Sequence, residues 1–259
     1  PKSSYSWRDI FYSFSSIYFC GGNCIEDAKT ILSNQFGSNP IFKLCSPDTL
    51  LRRMGGLSSD QLLCNTKRGT VEHQFNINQP LTDMNVKLLK KLGEFNKNEA
   101  VLDYDNTIIF TEKEGCKMTY KRDYGYQPGV CILNEQNVLY IENRNGNSDA
   151  KAFQTDTLNR MFQHLQSNKI SKFDKFRADS ASYQFEVVTL VEKYVKLFYI
   201  GAKNSYVEKY FSLIDNWIHT KDQSGEDIFI GEIEYMPFVQ QGNKDKKYRL
   251  KKKKKLRKD

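Results

Sequence analysis

Residues 101–110 read Val-Leu-Asp-Tyr-Asp-Asn-Thr-Ile-Ile-Phe, and this stretch decides the fold. It is rich in β-branched and aromatic side chains, a composition that predicts a strand. Because successive side chains of a strand point to opposite faces, Asp103 and Asp105 share one face while Leu102 and Tyr104 share the other. A carboxylate is costly to hold in an apolar strand unless something binds it, so the two aspartates are candidate metal ligands.

The chain after residue 110 predicts a mixed sheet with helices packed on it. Hydrophobic periodicity indicates two more strands, then a helix, a strand, a helix and a strand, at residues 129–133, 138–142, 150–167, 172–178, 185–194 and 197–202. Three hairpin-linked strands followed by alternating helices and strands form the order that ribonuclease-H-like domains use. The predicted fold class is therefore α/β, with a ribonuclease-H-like mixed sheet and flanking helices.

Asp179 supplies a second acidic site, directly after the strand predicted at residues 172–178. Adjacent central strands would bring its carboxylate within metal-bridging reach of Asp103 and Asp105. Two other interpretations stay open, since Asp179 and Ser180 could cap the next helix and Asp103 could be a salt-bridge partner. Carboxylates hold the divalent cations that activate the attacking oxygen and neutralise the leaving oxygen in phosphoryl transfer.

The first part of the chain is predicted to be a small helical domain. Apolar residues recur at helical spacing over three stretches, with a polar loop between the last two: helices at 7–18, 25–34 and 80–92, and the loop at 56–80. Ser46 as N-cap and Pro47 as first residue begin a further short helix, which carries Arg52 and Arg53. The two arginines suggest a helix-turn-helix-like DNA reader. An ordinary helical domain with two exposed arginines is the simpler interpretation of the spacing alone.

Net charge is concentrated at one end of the chain. The formal charge is +8, but residues 244–259 contain eleven Lys or Arg and two Asp, which leaves the rest close to neutral. Such a segment either binds phosphates non-specifically or is a solvated end without a partner. Basicity alone is therefore no evidence that the body of the protein binds DNA.

The composition and the weaker pattern after residue 203 complete the domain prediction. A helix near 207–219 and a strand at 228–235 are indicated. The predicted domains are a helical head at 1–95, a catalytic core at 96–203, the start of a β-rich insertion at 204–243 and a basic tail at 244–259.

The six cysteines lack the spacing of a zinc site, which favours reduced, mostly buried thiols. No membrane span or signal peptide is evident, so a cytoplasmic protein without a membrane partner is expected.

Six short pieces form a series across most of the chain. They are Tyr5-Ser6 with Cys20 to Asp27, Ser46 to Arg52, Leu102 to Asp105, Tyr120 to Val130, Glu142 to Asn147 and Arg177 to Ser180. In this order they resemble bacterial insertion-sequence transposases of the insertion-sequence-1380 group, which carry the group 1 DDE transposase domain. Each piece is weak by itself, and the series gives the resemblance its weight.

The resemblance implies a DNA transposase that cleaves transposon ends and joins the freed 3′-hydroxyl to target DNA. It implies two Mg²⁺ ions, with Mn²⁺ as a substitute, bound by Asp105 and Asp179, with Asp103 as an alternative or helper. The partners that it implies are double-stranded DNA, as transposon ends and target, and a second copy of the chain in a homodimer on DNA.

The sequence departs from the family pattern at two points. Ala181 stands where the family has glycine, two residues after the second aspartate. The family's third acidic residue is a glutamate on a helix beyond the insertion, and Glu232 and Glu234, on a predicted strand, are poor substitutes for it. Because the glutamate is missing and Pro1 enters where the family already has preceding residues, we expect an incomplete copy, truncated at both ends. The alternative is a non-enzymatic DNA-binding remnant of a transposase.

Overall fold

The computed structural model describes residues 5–36, 38, 40–57, 62–65, 72–97 and 99–255. These residues fall into two compact units. The first unit comprises Pro1–Leu63 and Gln74–Met84, and the second comprises Cys64–His73 and Asn85–Asp259. The predicted domain limits at residues 95, 203 and 243 remain predictions.

The first unit is built mainly from short helices. They are α1 (Trp7–Phe19), α2 (Asp27–Thr30), α3 (Leu32–Phe36) and α4 (Pro47–Gly55). Ser6 and Asp9 form a capping box at the start of α1, and the Ser46 side chain accepts the Thr49 N–H at the start of α4. The helix predicted around Pro47 is therefore confirmed with its cap.

The single helix predicted at residues 25–34 is wrong, because α2 and α3 are separate. The Asp27 carboxylate accepts the backbone N–H groups of Asn23 and Cys24 and the hydroxyl of Thr30. These bonds close a tight turn that delays the start of α2 to Asp27. The core of the unit nevertheless uses the predicted apolar positions, and its buried members are Ile10, Ile17, Ala28, Leu32, Cys45 and Leu50.

Two strands and a helix each begin in the residue range of one unit and end in the residue range of the other. They are β1 (Leu62–Asn65), β2 (Glu72–Asn76) and α5 (Gln79–Lys91). The helix predicted at 80–92 is confirmed by α5. The uninterrupted loop predicted at 56–80 is wrong where β1 and β2 lie, because isolated apolar residues among polar neighbours hide such short strands from a periodicity argument.

The second unit contains all the remaining elements. Its strands are β3 (Val101–Asn106), β4 (Ile109–Phe110), β5 (Lys117–Met118), β6 (Tyr124–Tyr126), β7 (Gly129–Leu133), β8 (Asn137–Arg144), β9 (Phe173–Ala178), β10 (Val195–Ile200), β11 (Trp217–Lys221), β12 (Asp227–Tyr235) and β13 (Tyr248–Lys255). Its further helices are α6 (Gln154–Ser167), α7 (Phe185–Val191) and α8 (Asn204–Phe211).

A mixed sheet forms the centre of this unit, with the strands in the order β8–β7–β3–β9–β10. The first three strands are antiparallel neighbours, whereas β9 runs parallel to β3 and β10 runs parallel to β9. This is the predicted succession of three hairpin-linked strands followed by strands reached through helices. The α/β fold class with a mixed, ribonuclease-H-like sheet is confirmed.

Buried aromatic and aliphatic residues hold the helices to the central sheet. Leu102 and Tyr104 of β3 are buried, as alternation predicts for the face opposite the aspartates. On α6 the Phe162 ring lies 6.4 Å from the Phe173 ring of β9 and stacks on Tyr194 at 4.2 Å. Burial of rings of this size stabilises the helix–sheet contact by roughly 1.5–3 kcal/mol per side chain.

Two small antiparallel sheets complete the second unit, with the orders β4–β6–β5 and β11–β12–β13. The single strand predicted over residues 101–110 is interrupted between β3 and β4. The helix predicted at 207–219 is also wrong in its second half, because Trp217 already pairs with Gly231 in β11. A Cβ at Gly231 would approach the Trp217 ring to 2.9 Å, so glycine allows this close pairing.

Up to residue 255, the basic end of the chain forms a strand and is not a solvated tail. Strand β13 pairs with β12 in antiparallel register, which sets Lys251 opposite Glu232 and Leu250 opposite Ile233. Leu250 is buried, and Lys251 forms an ion pair with Glu232 at 2.9 Å. The lysines are therefore part of a folded sheet.

All six cysteines are free thiols. Cys45 and Cys131 are buried, whereas the other four are only partly buried, so the prediction of mostly buried thiols is wrong in degree. Within the described ranges no helix combines the length and the apolar character needed to cross a membrane.

Candidate active site

Asp105 and Asp179 lie at neighbouring positions on the central sheet. The parallel pairing of β3 with β9 sets Asp103 opposite Arg177 and Tyr104 opposite Ala178. Continuing this register by one residue brings Asp105 opposite Asp179, on strands that are about 4.8 Å apart. Both aspartates occupy the face that Asp103 shares, because side chains alternate along each strand. The two acidic sites predicted from sequence therefore converge.

The carboxylate of Asp105 is held in an unfavourable electrostatic position. Its Oδ1 accepts the backbone N–H of Asn106 at 2.8 Å. Burial raises the pKa of Asp105 above its ordinary value, and the negative charge of Asp179 raises it further, while the Asn106 hydrogen bond opposes the change. A carboxylate raised in energy by burial and by a neighbouring negative charge forms a site whose energy falls when a cation enters.

Asp179 also acts as a cap. Its Oδ1 accepts the backbone N–H of Ala181 at 2.9 Å at the start of the turn Ser180–Ser182. Asp179 thus caps this short turn, which fixes the orientation of its carboxylate. The predicted cap of the next helix is wrong, because the N-cap of α7 is Gln184. Ala181 is not among the residues with positive φ, so the position that departs from the family pattern has no need of glycine here.

Asp103 is a salt-bridge partner, as its alternative interpretation states. Arg177 Nε donates to its Oδ1 and Arg177 Nη2 to its Oδ2 at 2.7 Å. The same guanidinium contacts Glu135 Oε1 at 2.7 Å. Because both oxygens of Asp103 accept from one arginine, its carboxylate is oriented along the sheet, and its charge is partly balanced by a guanidinium that it shares with Glu135.

The three aspartates line one cavity of about 420 Å³. Its walls also include Tyr104, Thr107, Val130, Ile132, Arg177 and Ala178. In the part of the chain that the structure describes, no cluster of three or more His, Cys, Asp or Glu side chains could hold a metal ion. Asp105 and Asp179 are the two carboxylates of this cavity that could hold a cation, and two hard, charged oxygen ligands suit a Mg²⁺ ion that retains several waters.

A buried arginine anchors the end of β3 beside Asp105. Arg144 is 1% exposed, and it donates to the carbonyl oxygens of Gln127 at 3.1 Å and Ala152 at 2.6 Å. With its amide oxygen turned toward this guanidinium, Asn106 accepts from Arg144 and donates to the Ala150 carbonyl at 3.1 Å. These hydrogen bonds hold Asn106, the residue that follows Asp105, in place.

A second buried group ties β8 to α6. Glu142 is fully buried and accepts four hydrogen bonds from three side chains. They come from Thr157 at 2.6 Å, Tyr140 at 3.1 Å and twice from Arg160, at 2.8 and 2.7 Å. Sequence reasoning missed Glu142 and Arg144 as functional supports, although both lie in one of the six family-like pieces. An ionisable residue at an inward position of a strand is the signal that could have found them.

Arg52 and Arg53, the candidate DNA contacts, lie on α4 in the first unit. Arg52 is exposed, whereas the guanidinium of Arg53 lies 4.2 Å from the centre of the Trp7 ring. The Arg53 charge is therefore engaged by an aromatic face of the same unit.

Comparison with known proteins decides the family. The family model described as "Transposase DDE domain group 1" matches residues 3–241, which is nearly the whole chain. The chain belongs to the group 1 DDE transposase family. Assignment to the insertion-sequence-1380 group within DDE transposases remains a prediction. Comparison with curated proteins gives no match.

Solved structures that resemble this DDE transposase chain are also transposases. One is titled "Mos1 transposase paired-end complex with left transposon end", with 13% identity over 81% of this chain and 62% of that chain, at a TM-score of 0.29. Another is titled "Cryo-EM structure of piggyBac transposase synaptic complex with hairpin DNA (SNHP)", with 10% identity over 88% of this chain and 49% of that chain, at a TM-score of 0.37. The chain thus spans 62% of the first protein and 49% of the second.

Proposed function

We propose that this chain is the DNA-cleaving and strand-transferring part of a transposase, with Asp105 and Asp179 as the ligands of a divalent cation. The observation that supports this most directly is the convergence of the two carboxylates in one cavity of the central sheet. The cation is Mg²⁺, with Mn²⁺ as a substitute, and the substrate is double-stranded DNA at transposon ends and target. A homodimer on DNA remains a prediction.

The role of the chain's own residues follows from their contacts. Asp105 and Asp179 offer carboxylate oxygens toward the same space, and the Asn106 and Ala181 N–H groups fix their orientation. When bound, a divalent cation lowers the pKa of an attacking hydroxyl or water and neutralises charge on the leaving oxygen. The buried anchor at Arg144 limits movement of the β3 end, which keeps the two carboxylates at a constant separation.

Asp105 is proposed as the first ligand in preference to Asp103. Both oxygens of Asp103 are occupied by Arg177, whereas Asp105 has its pKa raised by burial and by the nearby Asp179 charge. Asp103 then serves as a positioning residue, because its ion pair with Arg177 links β3 to β9 one step before the proposed ligands. At 44% exposure of Arg177 this ion pair contributes no more than about 1 kcal/mol to stability.

Adding Mg²⁺ or Mn²⁺ is expected to raise the Tm of the protein, and Asp179→Asn is expected to abolish that rise. At a metal concentration of about 100 times Kd, binding to the folded state alone stabilises it by about 2.7 kcal/mol. The measurement is thermal unfolding with metal and with EDTA.

Asp123→Asn is the control for this experiment, because Asp123, like Asp105, accepts the N–H of the next residue, at 2.8 Å, but lies outside the cavity. Its metal response should equal that of the wild type. A wild-type protein with no metal response would contradict the proposed site and favour a DNA-binding protein without catalytic activity.

Without metal, Asp105→Asn is expected to stabilise the protein at neutral pH. Folding raises the pKa of Asp105, so the protonated carboxyl favours the folded state. Its contribution to the free energy of unfolding is complete below the unfolded pKa, about 3.9, and is lost as the pH rises through the folded pKa. The Tm of the variant minus that of the wild type, measured in EDTA, should therefore increase from acid to neutral pH. A difference that decreases over this interval would show that folding favours the charged carboxylate.

A further inference from the structure

The second unit contains another cavity, of about 500 Å³, whose wall includes three lysines. It is separate from the cavity that the three aspartates line. Lys151 precedes α6, Lys203 precedes α8 and Lys209 lies on α8. Among the described residues that line the cavity, Glu186 is the only acid, and it is exposed. The wall therefore carries an excess of two positive charges.

Lys151 and Lys203 face each other closely. The proximity of the Lys203 amino group lowers the pKa of Lys151, and burial lowers it further, while Asp149 opposes the change. None of the ion pairs formed within the described residues includes Lys151, Lys203 or Lys209. Two adjacent ammonium groups that form no ion pair with another described residue favour an anion placed between them.

The rest of the wall suits a phosphate that carries an organic group. Tyr183, Tyr235 and Phe238 provide apolar surface, and the hydroxyls of Tyr183 and Tyr235 are 3.0 Å apart. Helix α8 begins after Lys203 without a side-chain cap, so the positive end of its dipole adds to the attraction for an anion.

The cavity is attached to the turn that carries Asp179. Gln184 Nε2 donates to the Lys151 carbonyl at 3.0 Å and to the Ala181 carbonyl at 2.9 Å. Ala181 in turn donates its N–H to Asp179. Gln184 therefore joins the backbone beside Lys151 to the turn that carries Asp179, which is the basis for placing the lysines and the carboxylates along one DNA strand.

We propose that Lys151, Lys203 and Lys209 bind a phosphate group of the DNA backbone a short distance along the strand from the phosphate at Asp105 and Asp179. The inference rests on the proposed function, because it takes DNA as the substrate. Bridging by one phosphate replaces the repulsion between two ammonium groups with two charge-assisted hydrogen bonds. The lysines would thus set the position of the strand without reading its sequence.

The salt dependence of DNA binding tests the assignment. A labelled DNA duplex is titrated with the wild type, with Lys151→Gln/Lys203→Gln and with the control Lys87→Gln/Lys172→Gln, which removes two exposed lysines outside the cavity. The slope of log Kd against log salt should fall by about 0.9 for the cavity variant, the value for one lost phosphate contact. Equal slopes for the cavity variant and the control would overturn the proposal.

Lysine acylation followed by mass spectrometry gives a second measurement that needs no variant. DNA should slow the modification of Lys151 and Lys203 several-fold and leave Lys87 unchanged. Inorganic phosphate at the same phosphate concentration should protect less. Protection by inorganic phosphate that equals protection by DNA would assign the cavity to a free anion and overturn the DNA assignment.

The two proposals fail in different ways. The cavity variant should keep the metal-dependent rise in Tm, since neither lysine lies in the carboxylate cavity. If the wild type binds DNA and shows no metal response, the proposed active site fails while the phosphate site stands. If the wild type binds no DNA, both proposals fail.

Discussion

Replacing Glu142 by alanine is expected to lower the free energy of unfolding by about 5 kcal/mol. Removal of one member of a buried ion pair costs about 3–5 kcal/mol, because the other charge loses its counter-ion. The lower end applies here, since the Arg160 side chain retains 25% exposure and can be partly hydrated in the variant. The hydroxyls of Thr157 and Tyr140 also lose an acceptor, at about 1 kcal/mol each. Urea unfolding followed by circular dichroism measures the loss.

Two further variants separate charge from packing at this position. Glu142→Gln keeps the shape of the side chain and should fall between the wild type and Glu142→Ala. Glu142→Ala combined with Arg160→Met removes both charges and should recover part of the loss, which a double-mutant cycle quantifies. A loss below about 1 kcal/mol for Glu142→Ala would mean that the four hydrogen bonds to Glu142 contribute little beyond what water supplies.

Asp105→Asn is expected to reduce metal-dependent DNA cleavage by about a thousandfold. A divalent cation contributes several kcal/mol to stabilisation of the transition state, and about 4 kcal/mol corresponds to that factor. The asparagine amide keeps the size of the side chain but removes the negative charge that holds the cation. The measurement is nicking of supercoiled plasmid DNA in Mg²⁺ or Mn²⁺, with EDTA as the blank.

Asp179→Asn should have an effect of the same size, because the two carboxylates act as a pair. Effects of residues that act as a unit are not additive, so the double variant should be little slower than either single one. Asp123→Asn should keep the wild-type rate, since Asp123 lies outside the cavity. Wild-type nicking by Asp105→Asn and by Asp179→Asn would refute the proposed ligand pair.

The candidate site could be located from sequence because two simple rules apply to it. Alternation along a strand places Asp103 and Asp105 on one face, and the strand order brings Asp179 next to them. Neither rule gives the register between β3 and β9, which decides that Arg177 faces Asp103 and that Asp105 faces Asp179. The choice between Asp103 and Asp105 therefore stays open until the strands are paired.

The misses at Glu142 and in the lysine run share a cause, because both depend on contacts between distant parts of the chain. The partners of Glu142 lie 15 and 18 residues away on α6, so its ion pair has no local signature. The lysine run is hydrophilic and reads as solvated, yet pairing with β12 sets Lys251 against Glu232 and buries Leu250. The composition of a segment indicates the conformation that it prefers in isolation, and contacts with distant parts of the chain reverse that preference.

Strand β13 is an edge strand of its sheet, and its lysines affect how copies of the chain associate in solution. An exposed rim presents unsatisfied amide and carbonyl groups that invite a second strand to dock. Two such rims brought together would align rows of ammonium groups and repel each other. The lysine row therefore opposes fibril-like growth of the sheet at concentrations where an uncharged rim would aggregate.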